Sequence, residues 1–258
     1  MTDTFCPAPW ISMFYQVNTA KTCCVGQDSL KMSPEEFLSS DYLKNIKQQF
    51  LNGEKPKNCS NCWRNEDNGF QSIREHYINN FPEYSKEDFT DINARNLEYV
   101  ELRCSNLCNY KCRMCNGQNS VEIAREHDKN IDVEEISEDN WNQLLQLTDH
   151  LKYLFLTGGE PMIMKQYYEL MDKLVENGKS KDLSLNIYTN CSVYNPKIIE
   201  KIKQFKTVNL NMSIDAVGKV AEYQRKGTDW NTVLDNINKF SEIENVTPKI
   251  HSTITAYA

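Results

Sequence analysis

Three cysteines near the middle of the chain have the spacing of ligands to an iron–sulfur cluster. Cys108, Cys112 and Cys115 form the pattern C-x3-C-x2-C, and no fourth cysteine follows at close range. Three thiolates can hold three corners of a cubane [4Fe-4S] cluster. The remaining iron would then have an open coordination position, which indicates chemistry more than a structural role. The spacing therefore predicts a reactive metal centre.

A second group of cysteines lies in the first quarter of the chain, at Cys6, Cys23, Cys24, Cys59 and Cys62. The N-terminal residues are not a basic segment followed by an apolar one, so no secretory signal is predicted and a cytoplasmic location is expected. In that compartment cysteines bind metals more often than they form disulfides. Two groups of soft ligands thus predict two metal centres.

Two further cysteines, Cys104 and Cys191, are expected to be packed residues with inert thiols.

Composition sets the class of protein that must position these residues. The chain has 258 residues, of which 40% are hydrophobic and 25% charged, as in a globular protein with one large domain or one domain plus a small one. No apolar run reaches the roughly 18 residues that span a bilayer, so no membrane partner is expected. The net charge of −7 disfavours a nucleic-acid partner, which requires a basic surface.

Alternating strands and helices are predicted from about residue 97 onward. The helices are expected behind the caps Ser137, Asn195 and Asp229, with another that ends near Asn177-Gly178. Such alternation predicts a parallel sheet, either open or curled into a partial barrel. The predicted strands are Tyr99–Arg103, Tyr153–Thr157, Leu183–Thr189, Val208–Ile214 and Ile250–Thr255.

The third and fourth of these strands alternate apolar and polar residues, unlike a sheet buried on both faces. Asn186, Asn209, Asn211 and Ser213 would then share one face. This pattern predicts a barrel lined with groups that contact a ligand.

Residues 1–92 are predicted to form a separate small module, and residues 93–258 the α/β domain. Ser33-Pro34-Glu35-Glu36 has the pattern of a helix N-terminus, and its apolar stripe continues to Asn52-Gly53. A second helix is predicted from about Gly69 through Tyr77.

Polar segments follow the predicted strands where ligands bind in parallel α/β folds. The run Gly158-Gly159-Glu160-Pro161 follows the second strand. Its glycines would let the backbone approach a ligand, and the Glu160 carboxylate could meet an amine. Asn190 ends the third strand, Ser213 ends the fourth, and Arg225 is expected in the loop after it. Arg225 and Ser213 could bind the carboxylate of an amino acid that chelates the open iron.

These residues together resemble the radical SAM superfamily over about residues 97–255. The resemblance implies that Cys108, Cys112 and Cys115 hold a [4Fe-4S] cluster, whose fourth iron binds the amine and carboxylate of S-adenosylmethionine. It implies that Gly158–Pro161 meets the methionyl amine, and that Ser213, Arg225 and Asn190 contact the rest of the cofactor. One electron would cleave the sulfonium, and the resulting 5′-deoxyadenosyl radical would abstract hydrogen from substrate.

Two departures from the family pattern stand out. Met114 occupies the position before the last cysteine, which is often aromatic in the family. The family barrel has six strands, whereas five are predicted here, so we expect a C-terminally incomplete barrel. This leaves two alternatives to an active enzyme: a non-catalytic or truncated iron–sulfur or zinc-binding protein that keeps the fold, and an electron carrier.

The N-terminal module resembles the twitch, or half-SPASM, module, which binds one auxiliary [4Fe-4S] cluster. The resemblance implies a four-thiolate site from Cys6, Cys59, Cys62 and one of Cys23 and Cys24, with Cys23 preferred. A C-x2-C pair such as Cys59 and Cys62 is by itself more typical of zinc. The resemblance further implies a reductant such as flavodoxin or ferredoxin, and a substrate that is first a peptide and second a sugar or other small metabolite.

Overall fold

A computed structural model describes residues 4–84, 88–94 and 97–255. The strands are β1 (Ser12–Gln16), β2 (Thr19–Lys21), β3 (Tyr99–Arg103), β4 (Lys111–Cys112), β5 (Tyr153–Leu156), β6 (Ser184–Thr189), β7 (Thr207–Met212), β8 (Arg225–Lys226) and β9 (Val246–Ile250). The helices are α1 (Ala8–Ile11), α2 (Pro34–Ser39), α3 (Asp41–Leu51), α4 (Ser60–Asp67), α5 (Ile73–Asn80), α6 (Val121–His127), α7 (Glu138–Gln146), α8 (Lys165–Glu176), α9 (Pro196–Ile202), α10 (Gly218–Gln224) and α11 (Trp230–Ser241). No helix in these described ranges is long and apolar enough to cross a bilayer.

The chain divides into two compact units. The first comprises Met1–Glu101 and Ser137–His150, and the second comprises Leu102–Ile136 and Leu151–Ala258. This division differs from the predicted boundary between residues 92 and 93. The Glu98 N–H donates to the Ile11 carbonyl at 2.9 Å, and the Ser137 N–H donates to the Asn18 side chain at 3.0 Å. Those long-range hydrogen bonds tie the start of β3 and the whole of α7 to the first unit.

The helices of the first unit are set by local capping. Ser33 and Glu36 form the predicted capping box at the start of α2. The single helix expected from there to Asn52 is two helices, because the extended backbone of Ser40 ends α2 and its hydroxyl caps α3. The helix expected from Gly69 begins later, at α5. Gly69 has φ +75, and Ser72 caps α5 with a second capping box.

The second unit is built on β5, β6, β7 and β9, which neighbour one another in that order, and it includes the last two residues of β3. Parallel registers run from β5 to β6, β6 to β7 and β7 to β9. Helices α8, α9 and α11 lie where the sequence predicts them, with Asn195 and Asp229 as caps. The alternate residues Leu185, Ile187, Val208 and Leu210 are buried as a hydrophobic core. These features confirm the predicted α/β fold with a mostly parallel sheet.

The fifth strand was predicted in the wrong place. The strand is β9, which pairs with β7, whereas Ile250–Thr255 was expected. Pro248 makes β9 unlike an ordinary strand, but a proline is tolerated at a sheet edge. Beyond β9, Ile254 is 95% exposed. The β-branched residues there, which suggested a strand, do not form one.

Candidate functional site

The cysteine loop of the second unit lies between β3 and α6. Within it β4 pairs antiparallel with β8, so that Cys112 is opposite Arg225. The Arg113 N–H donates to the Gln224 carbonyl at 2.8 Å. These backbone bonds hold the loop in place, and all three of its cysteines are free, partly exposed thiols. The loop therefore presents its sulfur atoms while its backbone is fixed.

The electrostatics of the three thiols shows that they are neighbours. Burial chiefly raises the pKa of Cys108 to about 12, against the Tyr110 backbone N–H, and the charges of Glu160, Cys112 and Cys115 contribute to the rise. Burial also raises the pKa of Cys112 to about 11, against the lowering effect of Arg225. As thiolates, these three groups would repel one another. A cationic metal centre would stabilise them in that charged form.

The glycines of the Gly158–Pro161 loop allow it to pack on the cysteine loop. A Cβ on Gly159 would lie 2.0 Å from the Leu107 carbonyl oxygen, and Gly158 has φ +116. The Glu160 N–H donates to that same carbonyl at 2.8 Å. The glycines were predicted to admit a ligand. The structure shows that they admit the backbone immediately before Cys108.

Glu160 is only 1% exposed, and its carboxylate joins the glycine loop to the end of β6. It accepts hydrogen bonds from the Met162 N–H at 3.0 Å, the Thr189 hydroxyl at 2.7 Å and the Asn190 N–H at 2.7 Å. Burial raises the pKa of this carboxyl, although the three donors oppose that rise. A carboxylate has about four acceptor positions, so these three donors fill most of them. Pro161 begins a short 3-10 helix, Pro161–Ile163.

Asn190 belongs to a bridge that sequence reasoning missed. Its Nδ2 donates to Asn109 Oδ1 at 2.9 Å, and Asn109 Nδ2 donates to the Ser192 hydroxyl at 2.8 Å. The Ser192 N–H donates back to Asn190 Oδ1 at 2.8 Å. We call Asn109, Asn190 and Ser192 the amide bridge. It ties the residue after Cys108 to the end of β6. The position of Asn109 beside a cysteine was the only hint of this role in the sequence reasoning.

Arg225 faces a cysteine and a carboxylate. It follows α10 in β8, not an open loop as predicted. Its Nε and Nη2 donate to the buried Asp215 carboxylate at 2.7 and 2.9 Å, and its Nη1 lies 3.8 Å from Cys112 Sγ. Although burial works against it, hydrogen bonding to Asp215 raises the pKa of Arg225. Ser213 lies at the end of β7, with its N–H bonded to the Thr189 carbonyl at 2.8 Å.

The first unit brings together the four cysteines expected there. They line one small cavity of about 20 Å³, whose other walls are largely apolar. The cysteines are Cys6, Cys23, Cys59 and Cys62. After burial, the charges of the other three raise the pKa of Cys6. The adjacent Cys24 is outside this lining, and after burial it is Glu101 that chiefly raises its pKa. Geometry thus groups Cys23, not Cys24, with the other three.

Arg74 stands beside this cavity, among buried or half-buried partners. It donates to both carboxylate oxygens of Glu66, at 2.9 and 2.8 Å, and to the Phe5 carbonyl at 3.0 Å. Its guanidinium lies 5.3 Å from the centre of the Trp63 ring. Burial raises the pKa of Cys62, against the backbone N–H groups of Ile73 and Arg74. The first turn of α5 therefore directs donors at one of the four sulfurs.

Comparison with known proteins identifies the class to which this fold and site belong. The model of the radical SAM superfamily matches residues 102–255. The chain belongs to the radical SAM superfamily, as the cysteine and glycine loops predicted.

Individual relatives are similar at lower identity. The radical SAM cyclopropyl synthase TigE of Paramaledivibacter caminithermalis is 25% identical over 167 residues, covering 59% of this chain and 34% of that protein. The GTP 3′,8-cyclase of Clostridium botulinum is 25% identical over 166 residues, covering 64% of this chain and 50% of that protein. This chain therefore spans half or less of the length of these relatives. Streptococcus suis SuiB, solved with the precursor peptide SuiA, has a TM-score of 0.49 at 13% identity, over 89% of this chain and 52% of SuiB.

The superfamily implies a [4Fe-4S] cluster and S-adenosylmethionine, and the cysteine loop fits both. Within the described ranges no three His, Cys, Asp or Glu side chains converge on a single-ion site. Three soft thiolates would hold three irons of such a cluster and leave the fourth iron open. Both amide atoms of Gln224, beside Arg225, are buried without a hydrogen-bond partner. A buried amide without a hydrogen-bond partner beside the loop is expected where a polar ligand group would bind.

Proposed function

We propose that this protein is a radical S-adenosylmethionine enzyme whose reactive cluster is held by Cys108, Cys112 and Cys115. The observation that carries the proposal is the docking of the glycine loop on the cysteine loop, with Gly159 against Leu107. When bound, the cluster would supply the electron that cleaves the sulfonium of S-adenosylmethionine, giving methionine and a 5′-deoxyadenosyl radical that abstracts hydrogen from substrate.

The residues around the loop have separate roles in this proposal. The glycine loop offers backbone groups and the Glu160 carboxylate to the methionyl amine. Ser213 and Asn190 lie at the same strand ends as polar contacts for the rest of the cofactor. Arg225, which the resemblance makes a contact of the cofactor, already pairs with Asp215 and approaches Cys112. We assign it to the thiolate as well as to the carboxylate of the cofactor.

We propose further that the four-cysteine cavity of the first unit holds an auxiliary [4Fe-4S] cluster in a twitch-like module. Cys6, Cys23, Cys59 and Cys62 give four thiolates and leave no open iron. Their convergence on one largely apolar cavity supports this proposal. Zinc in the same four-thiolate site is the alternative.

The substrate we propose is a peptide, and a sugar or other small metabolite is the alternative. A low-potential reductant such as flavodoxin or ferredoxin would supply the electron. A cytoplasmic location belongs to the same proposal, because free thiols and reduced clusters require a reducing compartment.

Anaerobic reconstitution tests the enzyme and the second cluster together. The protein should take up about eight irons and eight sulfides per chain. With dithionite and S-adenosylmethionine it should form 5′-deoxyadenosine. Replacing Cys108, Cys112 and Cys115 together by alanine should remove about four irons and all of that product. The control is Cys104→Ala, a buried cysteine outside both groups, which should keep both metal contents.

Each negative result has a distinct meaning. A fully loaded protein that forms no 5′-deoxyadenosine would refute the enzyme and favour a non-catalytic iron–sulfur protein. Zinc in place of iron after anaerobic preparation would refute both clusters.

A further inference from the structure

The turn after β6 contains a buried residue with left-handed backbone geometry. Cys191 has φ +59, and its side chain is fully buried. Left-handed geometry brings the Cβ of an ordinary residue close to the following carbonyl oxygen, so it is strained for residues other than glycine. Such strain persists only where the surrounding structure imposes it, and it is concentrated at binding and catalytic sites. The groups that impose this geometry on Cys191 should therefore bear on the site.

Two side chains hold the backbone of Cys191. Its N–H donates to the Thr189 hydroxyl at 3.1 Å, and its carbonyl accepts a hydrogen bond from Asn236 Nδ2 at 2.9 Å. The Thr189 hydroxyl itself donates to Glu160 at 2.7 Å. The bond to the N–H is thus anchored in the glycine loop, whereas the bond to the carbonyl is anchored in α11.

Asn236 occupies a position on α11 where an apolar residue is expected. The buried residues of this helix are Val233, Asn236 and Phe240, which form one stripe that faces the core. Asparagine has a lower helix propensity than leucine, and burying its amide is unfavourable unless hydrogen bonds replace those to water. The hydrogen bond to the Cys191 carbonyl provides such a replacement. The polar residue at this position is therefore tied to the strained turn.

The strained turn sets the direction of the residues on either side of Cys191. The Ser192 N–H donates to Asn190 Oδ1 at 2.8 Å, and Asn190 Nδ2 donates to Asn109 Oδ1 at 2.9 Å. Asn109 is next to Cys108 in the cysteine loop. A negative φ at Cys191 would redirect the chain at Ser192 and break these bonds. The position of Asn190 beside the cysteine loop thus depends on the geometry of Cys191.

We propose that Asn236 is a positioning residue for the cofactor site. Through the Cys191 carbonyl it holds the strained turn, and the turn holds Asn190 against the loop that contains Cys108. Asn236 acts through Cys191 and is assigned no contact with the cofactor. The inference rests on the proposed function in one respect, that Asn190 and the cysteine loop bind S-adenosylmethionine.

The first test asks whether Asn236 holds the turn, using crystal structures of the reconstituted protein without S-adenosylmethionine. In Asn236→Leu, residue 191 should adopt a negative φ, and the distance from Asn190 Nδ2 to Asn109 Oδ1 should exceed about 3.5 Å. Asn236→Ala, which favours the helix more strongly, is the second variant and should give the same result. An unchanged turn in both variants would overturn the inference.

Two further variants control this test. Asn238→Leu makes the same chemical change at an exposed position of the same helix, and it should leave the turn as it is. Adding Cys191→Gly to Asn236→Leu should restore the positive φ, because glycine adopts it without strain.

The second test measures the affinity for S-adenosylmethionine, from the change that it causes in the electron paramagnetic resonance spectrum of the reduced cluster. Asn236→Leu should weaken binding about fivefold to tenfold, the effect of losing one hydrogen bond. Adding Cys191→Gly should restore the affinity to within about twofold of the wild type. Val233→Ala, on the same buried stripe, should lower the midpoint of thermal unfolding and keep the wild-type affinity.

The outcomes separate a positioning role from an ordinary place in the core. Equal loss of affinity in Val233→Ala, no rescue by Cys191→Gly, or wild-type affinity in Asn236→Leu would each overturn the inference. A wild-type protein that binds no S-adenosylmethionine, with the turn displaced in Asn236→Leu, would refute the proposed function only.

Discussion

The two cysteine groups differ in what surrounds their sulfur atoms. In the first unit four thiols line a largely apolar cavity, and the charges of Cys23, Cys59 and Cys62 act on Cys6. In the second unit three partly exposed thiols lie on a loop, with Arg225 3.8 Å from one sulfur. A complete ligand set in an apolar cavity suits a stable centre, whereas an incomplete set in a polar mouth suits a reactive one.

The largest expected effect separates the groups by metal content. Cys59→Ser should remove about four of about eight irons, because a four-thiolate site loses a ligand. Cys112→Ser should remove the other four and abolish 5′-deoxyadenosine formation. Iron and sulfide analysis with product chromatography measures both effects.

Cys24→Ser is the matched control for the first group, since Cys24 is adjacent to Cys23 but lies outside the cavity lining. It should retain about eight irons. Loss of four irons in this variant would assign the fourth ligand to Cys24 in place of Cys23.

The next effect tests whether the reactive group depends on close loop packing. Gly159→Ala places a methyl group 2.0 Å from the Leu107 carbonyl oxygen, which the loop backbone must move to admit. We expect about 3 kcal/mol lower stability and reduced iron uptake by the cysteine loop, with the four-cysteine group unaffected. Denaturant unfolding and iron analysis are the measurements.

Gly178→Ala is the control for that substitution. Gly178 has φ +76 but open space around its Cβ direction, so only about 1 kcal/mol is expected. If Gly159→Ala cost no more than this control, the close packing would not support the cysteine loop.

A smaller effect concerns the charge beside the reactive group. Arg225→Gln removes a cation 3.8 Å from Cys112 Sγ and leaves the Asp215 carboxylate behind. Since reduction adds an electron, the midpoint potential of that cluster should become more negative, by about 60 mV. A potentiometric titration followed by electron paramagnetic resonance measures the shift.

Arg225→Lys should shift this potential less, because it keeps the charge and loses only the paired hydrogen bonds. Arg125→Gln, on the surface beside Glu122, should leave it unchanged. Equal shifts in all three variants would exclude a specific role for Arg225.

The smallest expected effect concerns the amide bridge. Asn109→Ala removes the hydrogen bonds to Asn190 and Ser192, which should cost about 1 kcal/mol of unfolding free energy. The exposed Asn231→Ala on α11 should stay within about 0.5 kcal/mol of the wild type. Denaturant unfolding compares them, and equal costs would mean that the bridge does not order the loop.

Local patterns in the sequence predicted the parts of this molecule that depend on neighbouring residues. The cap Asp229 and the helix behind it follow from a few adjacent positions, as does the glycine after α8. The hydrogen bonds of Glu160 to Thr189 and Asn190 join residues about thirty positions apart, and no local pattern encodes such a pairing. The pairing of Arg225 with Asp215 was missed for a similar reason.

Two predicted elements were wrong because one local signal in the sequence concealed another. Ser40 is a cap inside a continuous apolar stripe, so the periodicity of the stripe concealed the break between α2 and α3. Pro248 concealed β9, and a β-branched run beyond it suggested a strand instead. The choice between Cys23 and Cys24 depends on which way each side chain points in the fold, which composition does not specify.

The four cysteines of the first unit come from positions 6 to 62, whereas those of the second lie within residues 108–115. The short loop can gather its three sulfurs in a chain that has not yet folded. The four-cysteine cavity exists only after long segments have been closed at a cost in chain entropy. A cofactor bound there would act as a cross-link on the folded unit, and its binding energy would add directly to the unit's resistance to unfolding.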